Sequence, residues 1–418
     1  MAITALIIEQ VDMGIRASSR ARGVEYAIRD VAVKAEEVRR SGKRIIDLNI
    51  GDPVKYGFDT PLNIRNAFAK AVESGFNYYS PSEGVRELRE AIAEKENKVN
   101  GARIDPSKVI VTSGISEAIM FLIASTVNPG DEVLVPGPCY PPYLTYTKFF
   151  DGKPITYRTL EDRGWTIDLE DFERKITPRT KLIVVINPNN PCGSVLPRSD
   201  LNKILELAIA HNILVAADEI YDRIVYDGSF SSLASQAKDA AIIGLNGFSK
   251  AYLMTGWRLG YVYLQDPQQK LENVWDGIQR LSRVRLCANT PVQLAGVEAL
   301  RGPQRHIEEM VEKLKRRRDM AWKKMNEIPG LKAAKPAGAF YIFPRIQWIG
   351  SRWQNDEEFV TELLKETGVL VVHGSGFDPV YGKNHFRAVF LPPEPKLEEA
   401  LAFVETFMKS HEPSSTYL

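Results

Sequence analysis

Apolar residues recur in two rhythms along the chain. Over residues 24–40 they fall at helical spacing with a charged opposite face, which predicts a helix. Ile45-Ile46-Asp47-Leu48-Asn49-Ile50-Gly51-Asp52-Pro53 reads as a short strand closing in a Gly/Pro turn, and Pro61 is placed to open another helix. From Val109 to Leu264, short apolar runs alternate with helical stretches. The runs predict strands over residues 109–113, 132–136, 182–186, 213–217, 241–245 and 257–264. Alternation of this kind predicts βαβ units and a mainly parallel sheet covered on both faces. After Leu271 the rhythm changes to long charged helices, over 271–286 and 306–328. Short apolar runs over 339–343, 369–372 and 386–390 then alternate with helices, an α+β pattern.

Composition narrows the class. The 418 residues suffice for two domains, and 44% hydrophobic with 26% charged residues is ordinary for a soluble globular protein. A formal charge of +1 gives no whole-chain case for nucleic acid or an acidic membrane surface. Cys139, Cys192 and Cys287 form no C-x-x-C pair, which argues against a disulfide framework and suits a reducing cytosol. His211, His306, His373, His385 and His411 show no H-x-x-x-H spacing, so no metal site is nominated. Met1–Met13 lacks the marks of a signal peptide and reads as an arm, and residues 410–418 read as a tail.

The chemistry-bearing residues cluster at the ends of predicted strands. In an open parallel sheet, ligands sit outside the carboxyl ends of the strands. Lys250 follows the run Ala240-Ala241-Ile242-Ile243, in Asn246-Gly247-Phe248-Ser249-Lys250. Burial in such apolar company lowers a lysine pKa and fits it to hold a carbonyl compound as a Schiff base. Asp218 ends the run Leu214-Val215-Ala216-Ala217, with Tyr221 three residues on. A buried carboxylate there needs a compensating charge or hydrogen bonds, although a helix N-cap is also open to it. Val109-Ile110-Val111-Thr112-Ser113-Gly114-Ile115-Ser116 reads as strand, tight turn and helix, where free N–H groups suit phosphate. Arg258, in Thr255-Gly256-Trp257-Arg258-Leu259-Gly260-Tyr261, offers a fixed charge. Arg387 stands in the apolar run Phe386-Arg387-Ala388-Val389-Phe390, where a guanidinium requires a carboxylate partner, in the protein or on a substrate.

These segments resemble, in order and over most of the chain, the class I and II aminotransferases, the pyridoxal-phosphate family with the aspartate aminotransferase fold. The form N-G-x-x-K-x-x-x-x-T-G-W-R-x-G-Y around Lys250 resembles the family's cofactor-lysine motif. The resemblance implies an α/β fold of the type I pyridoxal-phosphate transferases. Its large domain is built on a mainly parallel seven-stranded sheet beside a smaller α+β domain. It implies a division into 1–60 (arm and part of the small domain), 61–300 (large cofactor-binding domain) and 301–418 (the rest of the small domain). By resemblance, Lys250 carries pyridoxal 5′-phosphate, Asp218 faces the pyridine nitrogen, and Asn190 and Tyr221 face the ring oxygen. Gly114, Ile115, Ser116 and Arg258 hold the phosphate, with Asn246 and Ser249 assisting. Tyr140 stacks on the ring. Arg387 grips the substrate carboxylate beneath a loop containing Gly51. Tyr79 matches the tyrosine that reaches the neighbouring subunit's phosphate, which implies a homodimer with shared sites. Two departures stand out: Gly247 replaces a common serine, and Cys192 replaces the threonine of N-P-x-N-P-T-G in Asn187-Pro188-Asn189-Asn190-Pro191-Cys192-Gly193.

The implied reaction is ping-pong transfer of an amino group between an L-amino acid and a 2-oxo acid in the cytoplasm. The segments 48–55, 137–143 and 285–291 resemble the archaeal and bacterial alanine aminotransferase branch, which points to alanine with pyruvate and 2-oxoglutarate. Aspartate or broad specificity stays open, as does a C–S β-lyase of the same fold. A non-catalytic regulator is disfavoured, because the residues before Gly23 are too few for a winged helix.

Overall fold

The computed structural model describes residues 16–24, 27–237 and 239–413. The expected arm at 1–13 and most of the expected tail, 414–418, lie outside the described residues. The large sheet contains β1 (Val109–Thr112), β2 (Glu132–Gly137), β3 (Lys153–Leu160), β4 (Thr166–Ile167), β5 (Thr180–Ile186), β6 (Leu214–Asp218), β7 (Ile242–Gly247) and β8 (Gly260–Gln265). Their order across the sheet is β1-β8-β7-β6-β5-β2-β3-β4. β2, β3, β5, β6 and β7 run parallel to one another, and β8 inserts antiparallel between β7 and β1. Eight strands thus stand where seven were expected. The extra one is β4, which turns back against the end of β3 over two residue pairs. Such a two-residue strand carries no periodic signal.

Alternation along the strands assigns each side chain to a face. Val133, Val135, Leu182, Val184, Ile186, Leu214, Ala216, Ile243 and Leu245 pack on one side against Ile119, Leu122 and Trp275. Leu134, Ile183, Val185, Val215, Ala217 and Ile242 face the other way, onto Leu201, Ile204 and Leu205. Both faces are therefore buried, as near-continuous apolar strands require. Truncating one of these leucines or isoleucines to alanine costs about 2–5 kcal/mol.

Helices α1 (Ala27–Arg40), α2 (Arg86–Val99), α3 (Ile115–Thr126) and α4 (Pro142–Phe149) matter most for the site. Ala27, Ile28, Val31 and Ala35 of α1 share a core with Phe359, Leu363, Val372 and Val404, so sequence-distant ends pack together. Ile46 pairs in parallel with Val369, and the Val389 N–H donates to the Leu48 carbonyl over 2.9 Å. Phe386–Val389 is the centre of a three-stranded antiparallel sheet between Tyr341–Ile342 and Val372–His373. The predicted strand at 257–264 begins three residues late. Thr255–Trp257 is a single helical turn, and Arg258 takes a left-handed φ of 55° before β8 starts. That bend aims Arg258 at the start of α3.

Candidate active site

The carboxyl ends of β1, β2, β5, β6 and β7 open into one cleft of about 760 Å³. Of the predicted site residues, Gly51, Ile115, Ser116, Tyr140, Asn190, Asp218, Tyr221, Ser249, Lys250, Arg258 and Arg387 line it. Gly114 lies just behind the wall. Tyr79 does not line the cleft; it stands 79% exposed on the surface of this chain.

Lys250 follows β7 by three residues, and its Nζ donates to the Gly51 carbonyl over 2.7 Å. Burial depresses its pKa from the ordinary 10.5 to about 8. Asp52 opposes that shift, while the Arg387 and Arg258 guanidinium charges add to it. Thr255 Oγ1 donates to Asp52 Oδ1 over 2.8 Å and so ties the Gly51 loop to the loop that carries Lys250. Gly51 is required by packing. A Cβ there would lie 2.2 Å from the Tyr341 hydroxyl and 2.8 Å from the Phe340 ring.

Asp218 ends β6 and is buried. Tyr143 of α4 donates its hydroxyl to Oδ2 over 2.8 Å, and the Ile220 N–H donates to Oδ1 over 3.3 Å. Burial pushes the carboxyl up to about 6, and the two donors pull it back. A carboxylate so placed stabilises a cation brought against it. Tyr143 went unassigned from sequence, although Gly137-Pro138-Cys139-Tyr140-Pro141-Pro142-Tyr143 drew attention to its segment. Tyr341 was likewise read only as part of an apolar strand. Its hydroxyl lies 2.7 Å from that of Tyr221, and its ring sits 4.5 Å from the Arg387 guanidinium.

The end of the cleft expected to take a phosphate is a helix start. α3 has no side-chain cap at Gly114, whose φ of 78° with ψ of 168° is glycine territory. Those angles reserve the position for glycine, and a Cβ there would also come within 2.5 Å of Arg258 Nη2 and displace it. Open N–H groups and a guanidinium converge there, as a phosphate requires. Asn246 does not join them. It is buried and donates to Asp222 Oδ2 over 3.0 Å, away from the cleft. At Gly247 a Cβ would meet the Gly260 Cα and the Leu259 carbonyl at 3.1 Å, so the serine common at that position would need the neighbouring strand to give by a few tenths of an ångström.

Arg387 is buried at the opposite wall. Nη1 donates to Asn190 Oδ1 over 2.9 Å, and Nη2 to the Asn49 carbonyl. Both acceptors are uncharged, and they hold the fork in place. Asn190 keeps its place despite Cys192. The Cys192 N–H is capped by Asn189 Oδ1 over 3.1 Å, and its side chain joins the apolar core.

Residues 43–404 match the family Aminotransferase class I and II. The chain belongs to that family. It is 39% identical over 401 residues to an alanine aminotransferase of Mycobacterium tuberculosis, covering 94% of this chain and 92% of that one. It is 36% identical over 402 residues to the glutamate-pyruvate aminotransferase AlaA of Escherichia coli, covering 95% and 98%. A solved alanine aminotransferase from Pyrococcus furiosus superposes with a TM-score of 0.92 at 51% identity, covering 94% of this chain and all of that one. This aminotransferase has the type I fold, and its cofactor is pyridoxal 5′-phosphate. The cleft fits that cofactor: a lysine with a depressed pKa, a glycine-only phosphate cradle under an arginine, and a buried carboxylate all open into it. Among the described residues, no helix is long and apolar enough to cross a membrane.

Proposed function

We propose that the enzyme transfers the amino group of L-alanine to 2-oxoglutarate, and that the residues around the cleft divide the work as follows. Lys250 would hold the cofactor at its aldehyde carbon, and its free amine would take the substrate's α-proton and return it to that carbon. A pKa of about 8 leaves a usable fraction of free amine at neutral pH. Pyridoxal phosphate, when bound, supplies an electron sink in its protonated ring. Asp218 keeps that proton in place, and Tyr143 keeps Asp218 ionised and oriented. Asn190 and Tyr221 donate toward the ring oxygen, and Tyr140 covers one ring face. Gly114, Ile115, Ser116, Ser249 and Arg258 hold the phosphate. Arg387 and Gly51 receive the α-carboxylate.

The carrying observation is the position of Lys250 between the Gly114–Arg258 cradle, Asp218 and Arg387 in one cleft. The choice of alanine rests on the names of the relatives above. Steady-state rates with alanine, aspartate, glutamate and tyrosine as donors test it. Alanine with 2-oxoglutarate is expected to give the highest kcat/KM of the four donors. Equal or faster use of aspartate would reject it.

We further propose a cytoplasmic homodimer with shared sites, built on the domain division 1–60, 61–300 and 301–418. The loops at 76–82 and 284–290 are joined by Thr290 Oγ1 donating to the Tyr78 carbonyl and by Arg285 Nη2 donating to the Ser82 carbonyl. Together they expose Phe76, Tyr78, Tyr79, Val284 and Leu286. Such a contiguous apolar patch fits burial against a second copy, with Tyr79 reaching the partner's phosphate. Sedimentation of the wild type and of Val284→Glu tests it: a dimer that the charge weakens supports it, and a wild-type monomer refutes it.

A further inference from the structure

Behind the cleft lies a buried polar cluster that no step above uses. Lys95 and Glu96 of α2 are 7% and 0% exposed, and Asp222 and Asn246 are 6% and 2% exposed. Lys95 Nζ donates to Asp222 Oδ2 and, over 2.8 Å, to Glu96 Oε1. Asn100 Nδ2 donates to Glu96 Oε2 over 2.7 Å and to Asp222 Oδ2 over 2.9 Å. Tyr261 donates to Glu96 Oε1 over 2.5 Å. Burial works against the Lys95 charge, but Asp222 and Glu96 hold it protonated. Every charged member has a partner, which is the condition for such a cluster to rigidify its surroundings.

The cluster joins two elements that matter. Asp222 is next in sequence to Tyr221 and four residues past Asp218. Asn246 is four residues before Lys250. Asn246 Nδ2 donates to Asp222 Oδ2 over 3.0 Å, and its Oδ1 accepts the Gly247 N–H over 2.7 Å. One carboxylate oxygen therefore collects the Lys95 ammonium, the Asn100 amide and the Asn246 amide. We propose that Asn246 and Asp222 are positioning residues, whose contact, anchored on Lys95, fixes the loop bearing Lys250 in register with the loop bearing Asp218 and Tyr221. This rests on the assignment of Lys250 as the cofactor-binding lysine. Neither residue touches the cleft, so they act through Lys250 and Tyr221. The two loops leave adjacent parallel strands, β6 and β7, whose ladder ends at Asp218 and Leu245. Beyond that point, the Asp222–Asn246 hydrogen bond continues the tie between them.

Asn100 provides a matched control. Its Nδ2 also donates to Asp222 Oδ2, but it lies at the C-terminal end of α2 and its other partner is Glu96 of that helix, so it does not bridge to the loop bearing Lys250. Asn246→Leu and Asn100→Leu each remove one amide from the same oxygen. The holoenzymes are compared by the pH midpoint of the bound cofactor's absorption, by kcat and KM for alanine, and by thermal midpoint. Asn246→Leu is expected to move the absorption midpoint by about 0.5 pH or more and lower kcat about tenfold or more, with KM nearly unchanged. Asn100→Leu is expected to lose thermal stability while its absorption midpoint stays at the wild-type value. Asn246→Ala, read in the same way, serves if Asn246→Leu does not fold. Equal spectral shifts in both variants, or none in either, overturn the proposal and leave the cluster a purely structural element. Borohydride reduction of the wild-type holoenzyme followed by peptide mapping separates the two levels. A cofactor tag on a lysine other than Lys250 defeats the underlying assignment as well. A tag on Lys250 with unmoved spectra defeats only the positioning role.

Discussion

Replacing Lys250 by methionine tests its electrostatic state without any cofactor present. The folded chain holds this lysine at about 8 against an ordinary 10.5, chiefly through burial. A depression of that size corresponds to about 3 kcal/mol of destabilisation while the amine is charged. The sign follows from proton counts. Between pH 8 and 10.5 the unfolded chain keeps the proton and the folded chain has lost it. Stability therefore rises with pH through that window, and the full penalty applies below it. Methionine fills a similar volume with no charge, but it leaves the Gly51 carbonyl without its donor, which costs about 1–3 kcal/mol. The net change at pH 7 is thus small. The informative quantity is how the difference between the two proteins varies with pH. Urea unfolding of both apoproteins at pH 7 and pH 10 should show the wild type gaining about 2–3 kcal/mol on Lys250→Met. Parallel stability curves across that range would refute the depressed lysine, and with it the supply of free amine at neutral pH.

Three further substitutions address the rest of the site. Tyr143→Phe removes a charge-assisted hydrogen bond of about 1.5–3 kcal/mol, so Asp218 should rise by about 1 pH or more from its value of about 6. A titration of the Asp218 carboxyl in the two apoproteins should show the move, and superimposable titrations would count against Tyr143. Gly114→Ala forces a backbone conformation reserved for glycine and presses a methyl on Arg258, so cofactor retention on dialysis should weaken by about 10–100-fold. Unchanged retention would remove the cradle from the account. Arg387→Lys gives up the planar fork, so KM for alanine should rise about 10–100-fold with a smaller change in kcat, and an unaltered KM would relocate the carboxylate site.

The layered α/β core was legible because its strands are nearly unbroken apolar runs ended by glycine, proline or a polar residue. Lys153–Leu160 was missed because Tyr157 alone in it is fully buried and polar residues interrupt its apolar run. The site residues that sit at strand ends were legible one by one, since a lysine, an aspartate or an arginine is conspicuous beside apolar neighbours. Tyr143 and Tyr341 were not, because a tyrosine in an apolar segment reads as core until its hydroxyl is seen to meet a partner. Asn246, expected to assist at the phosphate, turns elsewhere. At the end of β7 it lies buried beside Asp222, and its sequence position relative to Lys250 does not reveal which way the side chain turns. The Lys95–Asp222 pair joins residues 127 positions apart, and no local pattern announces it.

The most direct measurement is the absorption spectrum of the purified holoenzyme mixed with L-alanine and no keto acid. The account predicts that the yellow band of the aldehyde form gives way to the stable band of the amine form, and that pyruvate or 2-oxoglutarate restores it. Lys250→Ala should bind the cofactor yet fail to complete the change. A yellow band that persists while ammonia and keto acid accumulate would contradict transamination at this site. A wild-type protein that binds the cofactor with no change on adding alanine would contradict alanine as its donor.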